Sequence, residues 1–424
     1  MCFRLLTLRN SLLILTLALS VVASAQTVGS TLYTFSEQTS FWPQGSLLED
    51  GTGNLYGTTR GGGAYGVGSV IELSPPAVSG GAWTLATLYS FVPYGVSGYV
   101  PISDLVTDQA GAFYGTTFVG GDSVCNCGGV YKLVPPTVSG GAWTESVIYN
   151  FKGGADGRLP AVAALALTSN GTLYGVTVRG GTWDNGVLYQ LTTKNGKAYT
   201  EKVMYSFGEA GDASTPNGPV AVDANGYIYG TAAQGGAFGQ GAVYRYVPAT
   251  KTHVANESLL YSFGGSSTTG ATPIGNLIFD SGGNLYGVTY EGGSGGDGVV
   301  YSLAPAATTW TETVLFTFSK NSGTNPVAGL SWNHTNNNLY GTASSGNPNT
   351  SGDGTVFKMT PPAVKGGAWT ESTLYQFTYK VVGGYPTGVV TRDSKTGTLY
   401  GTAINGGIEG CDLYCGTVWS ITNP

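Results

Sequence analysis

The chain has 424 residues, only 10% of them charged, with 69 glycines, 27 tyrosines and a formal charge of −6. An acidic chain with no Lys/Arg cluster is a poor match for nucleic-acid phosphates, and no basic amphipathic helix offers itself to a membrane surface. High glycine alone would suit a disordered polymer, but 12% aromatic residues placed periodically argue for packed β structure with glycine-rich turns.

Arg4 and Arg9 precede an apolar run from Ser11 to Val22 and the small-x-small triplet Ala23-Ser24-Ala25. This is the pattern of a secretory signal peptide over residues 1–25, with cleavage near Ala25. Residues 26–424 are then expected outside the cytoplasm, extracellular or periplasmic. The run is short for a membrane span, so none is expected in the mature chain, and an uncleaved anchor is the alternative.

From there a single signature organises everything. Leu55-Tyr56-Gly57 returns as Phe113-Tyr114-Gly115, Leu173-Tyr174-Gly175, Ile228-Tyr229-Gly230, Leu285-Tyr286-Gly287, Leu339-Tyr340-Gly341 and Leu399-Tyr400-Gly401, at intervals of 58, 60, 55, 57, 54 and 60 residues. Seven units of ~57 residues fill residues 26–424, which marks a repeat architecture and leaves no room for a second domain. Each unit holds four apolar segments. Segment a follows a proline (Pro43, Pro101, Pro160, Pro216, Pro273, Pro326 or Pro386), placed as the first residue of a strand, where a missing N–H matters least. A turn such as Asp50-Gly51-Thr52-Gly53 leads into segment b, which carries Leu-Tyr-Gly and ends at a glycine pair. The glycine inside Leu-Tyr-Gly is unfavourable in a strand, so it implies a bulge or a close backbone approach from a neighbouring unit. Segment c is an apolar run such as Ser69–Leu73. A connector, nearly identical at Pro75–Trp83, Pro135–Trp143 and Pro361–Trp369, leads to the half-buried segment d, such as Leu88-Tyr89-Ser90-Phe91.

Four strands per unit without helical periodicity predict an all-β, seven-bladed β-propeller with four antiparallel strands per blade. The chain starts with a lone segment d, Leu32-Tyr33-Thr34-Phe35, and its last unit stops at segment c, Gly416–Ile421. The ring should therefore close by the N-terminal strand sharing the last blade. A β-solenoid or tandem sandwiches are the alternatives.

The order proline, Asp-x-x-Gly-Asn-Leu-Tyr-Gly, glycine pair, Gly-x-Val-Tyr, Leu-Tyr-Ser-Phe resembles the bacterial Gloeo-Verruco (GloVer) tandem repeat, a family often described as having a choice of C-terminal anchors. The resemblance implies a secreted or surface-displayed repeat protein, with no assigned reaction and no catalytic residues to carry over. Only three residues follow Ile421, without a sorting tail, so anchoring is in doubt.

Little in the sequence suits catalysis. Cys125, Cys127, Cys411 and Cys415 read as two local disulfides in an exported protein, with a four-thiolate zinc site as the alternative. His253 and His334 lack partners at ligand spacing, and no metal, cofactor or catalytic residue is expected. Specificity is expected on the face formed by the d–a and b–c loops, because the opposite face is built from near-identical turns and connectors. The position before the glycine pair varies there, with Arg60, Arg179 and Glu291 among its occupants. Asp156, Arg158 and Trp183 lie in the same loops, and these six are the candidate ligand-binding residues. The expected function is non-enzymatic recognition of a polysaccharide or cell-surface protein by a monomer. A glycoside hydrolase or polysaccharide lyase, which needs two facing carboxylates, and a purely structural surface protein are the alternatives.

Overall fold

Seven antiparallel sheets, one per repeat, form a seven-bladed propeller. The computed structural model describes residues 28–424 apart from 38, 79, 95–97, 122–123, 139, 161–163, 197, 307–309, 347–351, 365, 379–382 and 408–414. The leader and Cys411 lie outside the described residues. No α-helix occurs among them, and one 3-10 turn, Gly154–Asp156, is present.

The ring closes as the lone segment d requires. Val28–Thr34 pairs antiparallel with Thr417–Thr422, the third strand of the last blade, and completes it with Leu399–Asn405 and Gly384–Pro386. In five blades the inner strand is broken into two pieces that both pair with strand b, as Ser40–Pro43 and Leu48–Glu49 do with Leu55–Gly62. The proline ends the first piece instead of opening the strand.

The reason lies at the joint between blades. Each residue before a repeat proline has positive φ: Trp42, Val100, Leu159, Thr215, Thr272, Asn325 and Tyr385 lie between 54° and 61°. Non-glycine residues adopt this conformation at a cost of about 1–3 kcal/mol, and it persists only when surroundings over-determine it. Here the twist aims each backbone N–H at the preceding blade. Leu159 donates to the Cys127 carbonyl at 2.8 Å, Thr272 to Gln240 at 2.8 Å and Asn325 to Asp297 at 2.9 Å, and the other four do likewise. The residue after each acceptor is a positive-φ glycine packed against the proline ring, so that a Cβ on Gly298 would meet Pro326 Cδ at 2.8 Å. One hydrogen bond and one glycine–proline contact thus repeat seven times around the ring.

The glycine of Leu-Tyr-Gly is also explained by close approach, but from within its own blade. Gly115 lies directly opposite Tyr131 on strand c, and a Cβ there would sit 2.5 Å from the tyrosine Oη. Gly175/Tyr189, Gly230/Tyr244, Gly287/Tyr301, Gly341/Phe357 and Gly401/Trp419 repeat the relationship. These large rings are fully buried or nearly so and cover the glycine backbone, an aromatic rescue of a residue that by itself weakens a strand.

Outer strands meet through tyrosine and glutamate. The Tyr261 hydroxyl donates to Glu312 of the next blade at 2.8 Å, and Tyr89 reaches Glu145 at 3.5 Å. Burial pushes the carboxyls of Glu145 and Glu201 up to about 7, and burial together with the nearby Asp212 takes Glu257 to about 8.

Candidate functional site

The inner strands surround a central channel. Just after the repeat prolines, Gln44, Asn217, Ile274, Val327 and Thr387 line a cavity of about 260 Å³, with Tyr290 at its border and Asp104 deeper in. Tyr290 lies in the last three residues of the strand b Leu285–Gly292, so this mouth opens toward the d–a and b–c loops. Within the channel Val389 N–H donates to Ser46 Oγ at 2.7 Å, and Ser46 N–H in turn donates to Asp104 Oδ1. Burial raises the Asp104 carboxyl above its usual range, against the lowering effect of that hydrogen bond. Asp104 is the single carboxylate among the described residues that line the cavity.

Around this mouth the surface is aromatic. Tyr94 is 88% exposed, Phe238 65%, Tyr65 57%, Trp183 54% and Tyr385 40%, and these are all the exposed aromatic side chains among the described residues. Four lie in d–a or b–c loops, and Tyr385 lies in the first piece of an inner strand directly after a d–a loop. On the opposite face the exposed large apolar residues are valines of the c–d connectors, Val78, Val138, Val254 and Val364.

The candidate residues divide into four groups. Arg158 and Arg179 are brought directly opposite each other in the third blade, as cross-strand partners on one side of the sheet. Asp184 balances one of them: its carboxylate takes Arg158 Nη2 at 2.9 Å and the Gly180 N–H at 2.8 Å. Those hydrogen bonds hold the Asp184 carboxyl below the ordinary carboxylate range. Trp183 precedes Asp184 in the same loop, so three candidates gather on one blade. Glu291 is exposed on the fifth blade, 3.4 Å from Thr272 Oγ1. Asp156 is occupied with shaping its loop, because it accepts from the Tyr149 hydroxyl at 2.5 Å and from Lys152 N–H at 2.7 Å. Asp212 does the same for the next blade with Tyr205 and Gly208.

Arg60 is out of register with the rest. The consecutive positive-φ glycines are Gly62-Gly63 in the first blade, matching Gly120-Gly121 and Gly180-Gly181, so Gly61 and not Arg60 corresponds to Arg179. Strand pairing agrees, since Pro43 faces Thr59 as Pro160 faces Thr177. A one-residue slip reverses the face of a strand residue. Arg60 accordingly lies over the Trp42 ring at 5.6 Å. A run of three glycines, Gly61–Gly63, hides this register in the sequence.

Sequence reasoning missed Asp184, Tyr65 and Asp104. Asp184 adjoins Trp183 and could have been found as the acid nearest Arg158 and Arg179, whereas Asp104 emerges only once strand a is known to face the channel. Cys125 and Cys127 form a disulfide, with their Cα atoms 5.1 Å apart, and Cys415 is disulfide-bonded as well. Among the described residues no group of three or more His, Cys, Asp or Glu could hold a metal ion.

Solved structures match at low sequence identity. A Bacteroides uniformis protein described as a candidate 6-phosphogluconolactonase matches with a TM-score of 0.53 at 13% identity, over 85% of this chain and 90% of that one. A Thermus thermophilus protein described as a candidate glucose dehydrogenase-type oxidoreductase matches with a TM-score of 0.41 at 14% identity, over 93% and 99%. The first likeness, at 13% identity, concerns the fold alone. Among curated proteins, no sequence matches. The family model of the Gloeobacter/Verrucomicrobia repeat matches residues 123–311 and 216–423, leaving only the first repeat and the first half of the second outside, and the chain belongs to that repeat family.

Proposed function

We propose that this propeller is an exported binding protein that recognises an acidic polysaccharide on the face formed by its d–a and b–c loops. The observation that carries the reading is the confinement of all exposed aromatic side chains among the described residues to that face. Exposed aromatic plates beside hydrogen-bonding groups suit sugar rings, and loops on a rigid scaffold are where binding groups usually sit. The charge at the third blade supports an acidic ligand. Like charges directly opposite one another in a sheet are destabilising, and the single carboxylate of Asp184, paired with Arg158 and also attracted by Arg179, leaves one positive charge of the two guanidiniums in excess. A carboxylate-bearing sugar supplies the second countercharge, with the bidentate geometry that arginine favours. The single carboxylate in the channel lining supports binding over glycoside hydrolysis, which uses a pair.

The test is a polysaccharide binding screen on the chain from residue 26 onward, comparing polygalacturonate and alginate with dextran. Retention of a polyuronate, weakened by added salt and by Arg179→Ala, is expected. Trp183→Ala should weaken the same complex by about 1–3 kcal/mol. Binding to dextran alone, or an unchanged affinity in Arg179→Ala, overturns the reading.

A further inference from the structure

The seam between the second and third blades differs from the others on the face of a–b turns and c–d connectors. At four connectors on that face, in the first, second, fifth and sixth blades, a tryptophan packs at or beside a Leu-Tyr-Gly position. Trp83 packs on Tyr400 of the preceding blade at 6.3 Å, Trp369 on Tyr286 at 6.0 Å, and Trp143 stacks on Phe113 at 5.1 Å. Trp310 joins the cluster around Tyr229. The third and fourth blades break this pattern, the fourth with Ala255 at the tryptophan position. The third blade's connector turns through Lys194-Asn195-Gly196 and places Tyr199, a smaller aromatic ring, where four other blades have tryptophan.

The consequence is a cavity of about 500 Å³ lined by Asp108, Tyr114, Lys132, Asn170, Asn195 and Tyr199. It runs into a neighbouring depression of about 430 Å³ through the shared Lys132, Asn195 and Tyr199. We propose that this groove is a second binding site, for a neutral saccharide.

Three observations fix the ligand class. Lys132 and Asp108 neutralise each other at 3.4 Å inside the groove, so its floor carries no net charge to attract an ion; the exposed Lys194 at the lip is solvated. The floor is also pre-organised: the Tyr114 hydroxyl donates to Asp108 at 2.9 Å, and the Lys132 ammonium lies 4.9 Å from the Tyr114 ring centre. The walls present the amides of Asn170 and Asn195 together with the half-buried Tyr199 ring, a mixture of donors, acceptors and aromatic surface that fits a hydroxyl-rich ring. A polar groove of this size extended by a second depression suits several linked sugar units better than one small molecule.

The site is independent of the loop face described above, and its test is separate. Isothermal titration calorimetry of the full mature chain with maltohexaose, cellohexaose and xylohexaose should give binding to at least one. Tyr199→Ala should weaken that binding about tenfold, the scale of an aromatic anchor, and Trp183→Ala and Arg179→Ala should leave it unchanged. Asn195→Ala, in an exposed connector turn where its Oδ1 accepts from Ala198 N–H, should also weaken it while leaving the melting temperature within a few degrees of the wild type. No heat with any of the three sugars overturns the proposal, as does binding that survives both Tyr199→Ala and Asn195→Ala. Polyuronate binding sensitive to Arg179→Ala with no hexaose binding would sink this groove while leaving the loop face standing. The converse would sink the loop face alone.

Discussion

Gly186 lies against the ring of Pro216 in the next blade, so closely that a Cβ on the glycine would stand 2.7 Å from the proline Cδ. The glycine has φ 99°, and the carbonyl of Asn185 just before it accepts the Thr215 N–H at 2.9 Å. Backbone conformation, steric contact and hydrogen bond all converge on one position. Gly186→Ala should therefore lower unfolding free energy by about 3 kcal/mol, combining the penalty of a left-handed residue with overpacking. Chemical denaturation checks it, and a loss below about 0.5 kcal/mol, ordinary for a surface change, would show that the joint yields easily.

Ring closure makes a second expectation. Removing residues 26–36 takes away Val28–Thr34 and leaves Thr417–Thr422 as an unpaired edge with its apolar side uncovered. The melting temperature should fall and the tendency to associate should rise. An unchanged melting temperature and a monodisperse product would mean that the last blade stands on three strands.

The tyrosine–glutamate belt sets a pH dependence. A carboxyl at its ordinary value of 4.5 in the unfolded chain and at about 7 or 8 in the folded one is protonated in both states at low pH. Between those values the folded chain holds protons that the unfolded chain has released, so stability falls as pH rises from about 4.5 to about 8. The lowered carboxyls Asp50, Asp108, Asp184 and Asp393 act in the opposite sense, but only below about 4. Thermal melts should show a higher midpoint at pH 5 than at pH 8.5, and Glu257→Gln should flatten the difference. A midpoint that rises across this interval would contradict the buried state of these glutamates.

The sequence reveals the ring far better than the face it presents. Seven Leu-Tyr-Gly copies and a stray segment d determine blade number and closure, because each reports a backbone requirement repeated in every unit. The prolines were readable as markers but not as joints, since the partner is a glycine in the preceding blade, about 30 residues earlier in six cases and, for Pro43, Gly416 at the far end of the chain. The meaning of Gly115 likewise depended on Tyr131, which becomes its neighbour only once strands b and c are paired. For the site, the d–a and b–c loops were identifiable from variation between copies. Arg60 was misplaced because three successive glycines blur the register, and Asp156 looked free because the Tyr149 hydroxyl that it accepts comes from the adjoining strand. The blade two–three groove escaped notice because it arises from what one connector lacks, the tryptophan that Tyr199 replaces.

The pairing of Val28 with Thr422 joins residues 394 positions apart. Contacts of such separation are the slowest to form, since nearly the whole chain must be in place before they repay the entropy of closing the loop. The first six blades can each assemble from local hairpins as the chain emerges. The seventh cannot, because its outer strand is the earliest of all the strands to be made and waits for the last. During that interval Val28–Thr34, a segment without a single charged side chain, is an open template for another copy's unfinished blade. The final step of folding and the first step of misassembly therefore compete for the same seven residues, and dilution favours the former.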